Sequence, residues 1–188
     1  MENIEKSGER LDTNIVTLGP DDWEAYKELR LSSLRSEPTA FGRDYEEEAD
    51  RTEEEWRKRL EDPNHKTYAA SSEGKLVGMV GATTMSGKRV EHMANVGPVF
   101  VSERLRGKGI GEALMQQAIK ELRENPKIMK LRLSVNEPQE AAKKMYEKLG
   151  FEQSGYAKKE IRVGDTYYDQ IQMEMLFEDK LNAQKANP

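Results

Sequence analysis

The fold of this chain is decided by the stretch Val99-Phe100-Val101-Ser102-Glu103-Arg104-Leu105-Arg106-Gly107-Lys108-Gly109-Ile110-Gly111-Glu112-Ala113-Leu114-Met115. An apolar, β-branched run ends in a basic loop with glycines at three alternate positions, and apolar residues with helical spacing follow at once. Glycine permits positive φ and a close approach to the backbone, and the N-terminus of a helix carries partial positive charge. The order of strand, glycine loop and helix therefore predicts an anion site, and a phosphate-bearing ligand is the first hypothesis.

Composition narrows the class of protein. The chain has 188 residues, a net charge of −5 and no cysteine. The length suits one domain with its own core. The lack of cysteine removes disulfides and thiol nucleophiles and favours a reducing compartment. The negative charge argues against general nucleic-acid binding, which depends on neutralising phosphates with Lys and Arg. No apolar run approaches the roughly 20 residues that cross a bilayer, so we expect a soluble cytoplasmic protein with no membrane partner.

Hydrophobic periodicity along the chain predicts a mixed α/β protein. We expect a flexible N-terminus over 1–12, one domain over 13–177 and a mobile C-terminal tail over 178–188. Strands are predicted at 14–18, 67–70, 76–84, 90–101, 128–135, 151–161 and 167–176. Helices are predicted between Asp22 and Glu37, between Thr52 and Asp62, over 110–124 and between Pro138 and Gly150.

Two features distinguish the strands on either side of the helix at 110–124. A strand-helix-strand unit pairs its two strands in parallel. Gly97-Pro98 interrupts the first of these strands, and proline removes a hydrogen-bond donor from the ladder. We therefore expect a bulge or a splayed edge at Gly97-Pro98, just before the glycine loop.

Two common nucleotide motifs do not fit the glycine loop. The dinucleotide fingerprint needs glycine or alanine three residues after its second glycine, where this chain has Glu112 or Leu114. The nucleotide-binding P-loop needs serine or threonine after its Gly-Lys pair, where this chain has Gly109. Neither a dinucleotide nor a nucleoside triphosphate is therefore the expected ligand.

Three further features occur in a fixed order. Arg104-x-x-Gly107-x-Gly109 follows a strand, the next strand ends at Asn136, and Ala142-x-x-x-Tyr146-Glu147-Lys148-Leu149-Gly150-Phe151 comes next. This order resembles the GNAT superfamily of acyl-CoA-dependent N-acetyltransferases, over roughly Lys66 to Leu176. The resemblance implies an α/β fold with a mixed, largely antiparallel sheet of six to seven strands. A central splayed parallel pair and helices on both faces complete the implied architecture.

The resemblance also implies acetyl-CoA as co-substrate, bound where the strand ending at Val101 splays from the strand ending near Val135. Main-chain groups would bond the pantetheine arm, and the N–H groups of 106–111 would bind the pyrophosphate. Basic side chains would supply charge, and Asn136 would bond the cofactor or hold the splay. The residues implied in binding are Val99, Phe100, Val101, Arg104, Arg106, Gly107, Lys108, Gly109, Ile110, Gly111, Asn136 and Tyr146.

For catalysis, Tyr146 resembles the family's general acid, a phenol beside the thioester sulfur. It also fits a structural role, because it adjoins the apolar stripe of its helix. The general base is open between Glu91 and His92, both expected on the strand that leads to the bulge. Side chains alternate along a strand, so only one of the two would face the site unless the bulge resets the register. No metal site is expected.

The acceptor implied by the resemblance is a primary amine of a small molecule, acetylated directly. Acetylation of a protein or peptide and a noncatalytic acyl-CoA sensor remain as alternatives. The acidic run over 44–55 either attracts a cationic amine or forms a solvated helix face. Residues expected to line the acceptor pocket are Phe41, Tyr45, Asp165, Tyr167 and Tyr168. Similar proteins are often homodimers, so a second copy is an expected partner.

Overall fold

The structure is a computed structural model, and it describes residues 13–186. Its strands are β1 (Thr13–Thr17), β2 (His65–Ser72), β3 (Lys75–Thr84), β4 (Met93–Val101), β5 (Lys130–Asn136), β6 (Glu152–Val163) and β7 (Thr166–Leu176). Its helices are α1 (Trp23–Ser36), α2 (Tyr45–Ala49), α3 (Glu53–Glu61), α4 (Ile110–Glu124), α5 (Glu140–Lys148) and α6 (Glu178–Ala186). The seven strands form one sheet in the order β1-β2-β3-β4-β5-β7-β6. Only β4 and β5 pair in parallel among these strands, so the expected fold class is confirmed.

Helices cover both faces of the sheet and enclose two separate cores. On the face that we call the front, α1 and α3 pack on β2 and β3, and Tyr26 meets Trp56 edge-on at 5.6 Å. On the back face, α4 and α5 pack over the centre of the sheet, with Leu114 and Tyr146 among the buried side chains. Because α4 begins at Ile110, the glycine loop lies at the end of the back layer.

A bulge in β4 confirms the expectation at Gly97-Pro98. Val99 pairs with Val80 of β3, whereas Val96 pairs with Ala82, so two residues of β4 stand opposite Gly81. The extra residue reverses the side-chain alternation. Val96 accordingly lies in the back core and Phe100 lies in the front core, although regular alternation would place both on one face.

The parallel pair is short. Strands β4 and β5 pair over Met93↔Lys130, Ala94↔Leu131 and Asn95↔Arg132, and then the ladder stops. Both strands continue, to Val101 and to Asn136. The edge of β4 that follows Asn95 therefore has no strand partner on the β5 side, which is the splay that the sequence predicts.

Two expectations about chain segments need correction. Strand β4 begins at Met93 instead of residue 90, because the N–H groups of Val90 and Glu91 both donate to the Gly87 carbonyl in a turn. The segment after residue 177, expected to be a mobile tail, forms α6. Lys180 Nζ holds this helix by donating to the carbonyls of Asn125 at 2.8 Å and Ile128 at 3.0 Å. The predicted flexible N-terminus, 1–12, lies outside the described residues.

The acidic run contains a short helix that the sequence does not predict. Helix α2 is capped by Asp44, and its Glu48 side chain is 0% exposed. Arg30 of α1, 3% exposed, donates to the Glu48 carboxylate from Nε at 3.1 Å and from a terminal nitrogen at 3.2 Å. Burial alone would raise the pKa of Glu48, but the hydrogen bond and charge of Arg30 hold it below its usual value. Glu48 is therefore an interior ion-pair partner and belongs to no solvated face.

Candidate functional site

The glycine loop presents a row of unused backbone donors. The N–H groups of residues 107–112 have no hydrogen-bond acceptor within 13–186. Gly107 and Gly109 have φ of +73° and +81°, a left-handed conformation that glycine adopts without strain. The exposed side chains of Arg104 and Lys108 form no ion pair with any residue that the structure describes. Free N–H groups at a helix N-terminus beside two uncompensated cations are an arrangement that suits a multivalent anion.

Arg106 is held by contacts within the protein. Its guanidinium forms an ion pair with Glu37 at the end of α1 at 2.6 Å, and its Nε donates to the Val101 carbonyl at 3.0 Å. Its backbone N–H donates to the Glu103 carbonyl at 3.1 Å. Both the charge and the N–H of Arg106 are therefore engaged, so Arg106 ties the loop to β4 and α1.

Asn136 lies at the open end of the splay, and only one of the two polar groups of its side-chain amide has a hydrogen-bond partner. The side chain is 3% exposed, and its Nδ2 donates to the Thr39 carbonyl in the connection between α1 and α2. Its Oδ1 is enclosed and has no donor among the described residues. An enclosed oxygen without a partner costs about 1–3 kcal/mol. A ligand with an amide N–H, such as the pantetheine arm of CoA, would remove that cost.

Tyr146 lies on α5 in the back core. Its side chain is 6% exposed and packs edge-on against Phe151, with ring centroids 6.2 Å apart. The hydroxyl makes no hydrogen bond to a described residue. Burial raises the pKa of Tyr146 to about 12, so the phenol keeps its proton at neutral pH.

The structure does not bring Glu91 and His92 to the splay. Both lie in the turn before β4, and Glu91 pairs with Lys127 at 3.1 Å on the surface. The exposed His92 is held through its carbonyl, which accepts from the N–H groups of Met129 at 2.8 Å and Lys130 at 3.1 Å. His92 precedes Val99 by seven residues, roughly 20 Å of extended chain. Their expected placement on the strand is wrong.

His65 is a half-buried imidazole that the sequence does not single out. Its ring nitrogens lie 2.7 Å from Thr83 Oγ1 and 3.1 Å from Thr67 Oγ1. Burial and the positive charge of Arg59 lower the pKa of His65 to about 4, so it is neutral at pH 7. Because both nitrogens are occupied, His65 supports the strands and offers no free base. The sequence feature that could have indicated this contact is His65-x-Thr67, in which two polar residues lie on the same face of the strand.

Two open depressions lie near the front layer of the sheet. A groove of about 540 Å³ lies on the front at the last β4–β5 pair, and its polar lining residues are Asn95, Lys130, Arg132, Ser134, Ser154, Gln172 and Glu174. We call it the front groove. A cleft of about 820 Å³ separates the α1–α2 connection from the β6–β7 hairpin. Of the five residues expected to line an acceptor pocket, Phe41 and Tyr45 line this cleft, whereas Asp165, Tyr167 and Tyr168 do not.

Comparisons with known proteins agree with this geometry. The model of the Acetyltransferase (GNAT) family matches residues 23–151. The L-amino acid N-acetyltransferase AaaT of Escherichia coli (strain K12) is 32% identical over 118 residues, which are 60% of this chain and 72% of that protein. A GNAT acetyltransferase structure from Streptococcus pneumoniae is 25% identical, with a TM-score of 0.73 over 88% of this chain and 100% of that chain. An N-acetyltransferase structure from Staphylococcus aureus Mu50 is 18% identical, with a TM-score of 0.76 over 88% and 98% of the two chains.

Proposed function

Because the chain belongs to the GNAT family of acetyltransferases, we propose that it transfers the acetyl group of acetyl-CoA directly to the primary amine of a small molecule. The observation that carries this proposal is the row of free N–H groups at 107–112, at the open end of the splay. A row of free donors at a helix N-terminus suits the pyrophosphate of CoA. The GNAT family generally uses acetyl-CoA, which supports the same ligand.

Residues along the splay would hold CoA as follows. The N–H groups of 107–112 bind the pyrophosphate, and Arg104 and Lys108 add charge from the exposed side. The unpaired edge of β4 after the bulge bonds the pantetheine arm through the main chain, near Val99 and Phe100. Asn136 accepts a pantetheine amide N–H through its free Oδ1. Arg106 contributes indirectly, because it fixes the loop to Val101.

Tyr146 is the proposed general acid. Acetyl transfer forms an N–C bond and breaks a C–S bond. The acceptor amine gives up one proton to solvent, and the leaving thiolate needs a proton. The Tyr146 hydroxyl is protonated at neutral pH and has no protein partner within 13–186, so it can donate that proton and regain one from solvent. The surroundings of Glu91 and His92 do not favour either as the base.

A named relative and the open front surface support a small-molecule acceptor. The relative from Escherichia coli is named for L-amino acids, which favours a small molecule over a protein. The front groove and the neighbouring cleft both open toward solvent, where a small amine can enter. A cytoplasmic location and a homodimer remain part of the proposal.

An assay of CoA thiol release tests the function. We expect the protein to release free thiol from acetyl-CoA in the presence of some members of a primary-amine panel. Mass spectrometry should detect the acetylated amine. Binding of acetyl-CoA without thiol release for any amine would contradict the proposal and favour an acyl-CoA sensor.

A matched pair of glycine variants tests the CoA seat. Gly109→Ala and Gly74→Ala each place a Cβ in open space at similar φ, +81° and +74°, so their backbone strain is alike. Only Gly109 lies in the proposed site, because Gly74 is in the β2–β3 turn. We expect Gly109→Ala to raise the Kd for acetyl-CoA about tenfold, the effect of losing one or two hydrogen bonds to a charged group. Gly74→Ala should leave the Kd unchanged, and equal effects would contradict the seat.

A further inference from the structure

Arg132 is the least satisfied charge in the front groove. It stands opposite Asn95 in the last β4–β5 pair, and it donates to Asn95 Oδ1 at 3.3 Å. A guanidinium has five N–H donors, and its Nε here is enclosed without an acceptor among the described residues. The only polar partner that the described chain gives Arg132 is therefore a neutral amide.

The other charges of the groove compensate each other. Lys130 forms an ion pair with Glu174, and both side chains are about a quarter exposed. Arg132 forms no ion pair with any carboxylate within 13–186. The groove therefore carries one net positive charge that is partly withdrawn from water, and an anionic ligand group would stabilise it.

The position of Arg132 connects this charge to the transfer site. Arg132 ends the part of β5 that pairs with β4, and Ser134 and Asn136 follow it on the same face along the splay, where β5 still pairs with β7. The glycine loop and Tyr146 lie with the back layer, so the donor would occupy the splay from the back. An acceptor entering from the front would reach the gap beside Arg132.

We propose that Arg132 binds a carboxylate of the acceptor, so that the acceptor is an amino acid whose amine and carboxylate are close together. A guanidinium pairs with a carboxylate through two parallel hydrogen bonds, which fixes the acceptor's orientation as well as its charge. The inference rests on the proposed acetyl transfer and adds the class of acceptor and the residue that selects it.

The test compares amino acids with their amides. For L-alanine, L-leucine and L-glutamate and for their α-amides, kcat/KM is measured with wild type and with Arg132→Gln. We expect the substitution to lower kcat/KM for the preferred acid about 10- to 100-fold, as expected for losing a charged hydrogen-bonded pair. The amide should change less than about twofold, because it has no carboxylate to lose. The KM for acetyl-CoA should not change.

Arg89→Gln is the matched control, because Arg89 is an exposed arginine in the turn before β4, away from the groove. This variant should leave kcat/KM unchanged for both the amino acid and its amide. Equal losses for acid and amide in Arg132→Gln, or no preference of wild type for acids, would overturn the inference while leaving acetyl transfer intact. If wild type releases no thiol at all, the proposed function fails. Calorimetric titration of the amino acids into the CoA complex then tests whether Arg132 binds the carboxylate. Binding by wild type but not by Arg132→Gln supports the inference. Equal binding by both proteins, or no binding by either, overturns it.

Discussion

Glu48→Gln should destabilise the protein far more than its place in an acidic run suggests. The substitution keeps the shape of the side chain and removes the charge that compensates the buried Arg30. Breaking a buried ion pair by removing one partner costs about 3–5 kcal/mol. In a domain of 150 to 250 residues, each kcal/mol lowers Tm by about 2–4 °C. We therefore expect Tm to fall by about 6–20 °C.

Urea unfolding followed by circular dichroism measures this loss, and Glu47→Gln is the control. Glu47 precedes Glu48 in α2, but it is 55% exposed and pairs with the 56% exposed Arg43. Removing such a surface pair costs less than about 1 kcal/mol. If Glu48→Gln were as mild as Glu47→Gln, the buried pair would not stabilise the fold as argued.

The pH dependence of the same measurement has a definite sign. Since the pKa of Glu48 is lowered in the folded protein, its contribution is fully present above the unfolded pKa of about 4.3. The contribution is lost as pH falls through the folded value. The stability difference between wild type and Glu48→Gln should therefore shrink below about pH 4, and a difference that grew there would contradict the lowered pKa.

Two further variants probe the bulge and the proton donor. Gly81→Ala would place a Cβ 2.7 Å from the Gly97 carbonyl oxygen, so we expect a loss of about 1–3 kcal/mol in urea unfolding. Gly42→Ala, where a Cβ meets nothing within 4 Å, should be neutral, and equal stability of the two variants would contradict the close approach. Tyr146→Phe should lower kcat about 100-fold or more with the KM for acetyl-CoA nearly unchanged. Unaltered kcat would remove Tyr146 from the proton transfer.

Features set by local signals could be predicted from the sequence. Helix α4 has the expected bounds because Gly109 adopts a left-handed conformation before it and Asn125-Pro126 follows it. The bulge at Gly97-Pro98 was predictable because glycine and proline act on the backbone of their own segment. The parallel pairing of β4 and β5 was also predictable, because a single helical crossover between two neighbouring strands makes them run in the same direction.

Features that depend on distant partners could not be predicted. In the sequence, Glu48 looks like an ordinary acidic residue of the acidic run, because its burial depends on Arg30, 18 residues earlier. In the sequence, Arg106 looks like an unpaired basic residue, but in the structure it forms an ion pair with Glu37 at the end of α1. The residues before Met93 alternate like a strand, and only the Gly87 carbonyl, which captures their N–H groups, makes them a turn. For Glu48 and Arg106 a tertiary contact overrides the local pattern, whereas before Met93 a local turn that competes with the strand does so.

The central claim is that CoA binds on the free N–H groups of residues 107–112. Hydrogen–deuterium exchange of these amides, with and without saturating CoA, tests it most directly. In the free protein they donate to no described residue, so they should exchange rapidly. We expect CoA to slow their exchange at least about tenfold, because hydrogen-bonded amides exchange only when the bond opens. Binding of CoA with exchange at 107–112 unchanged would contradict the account.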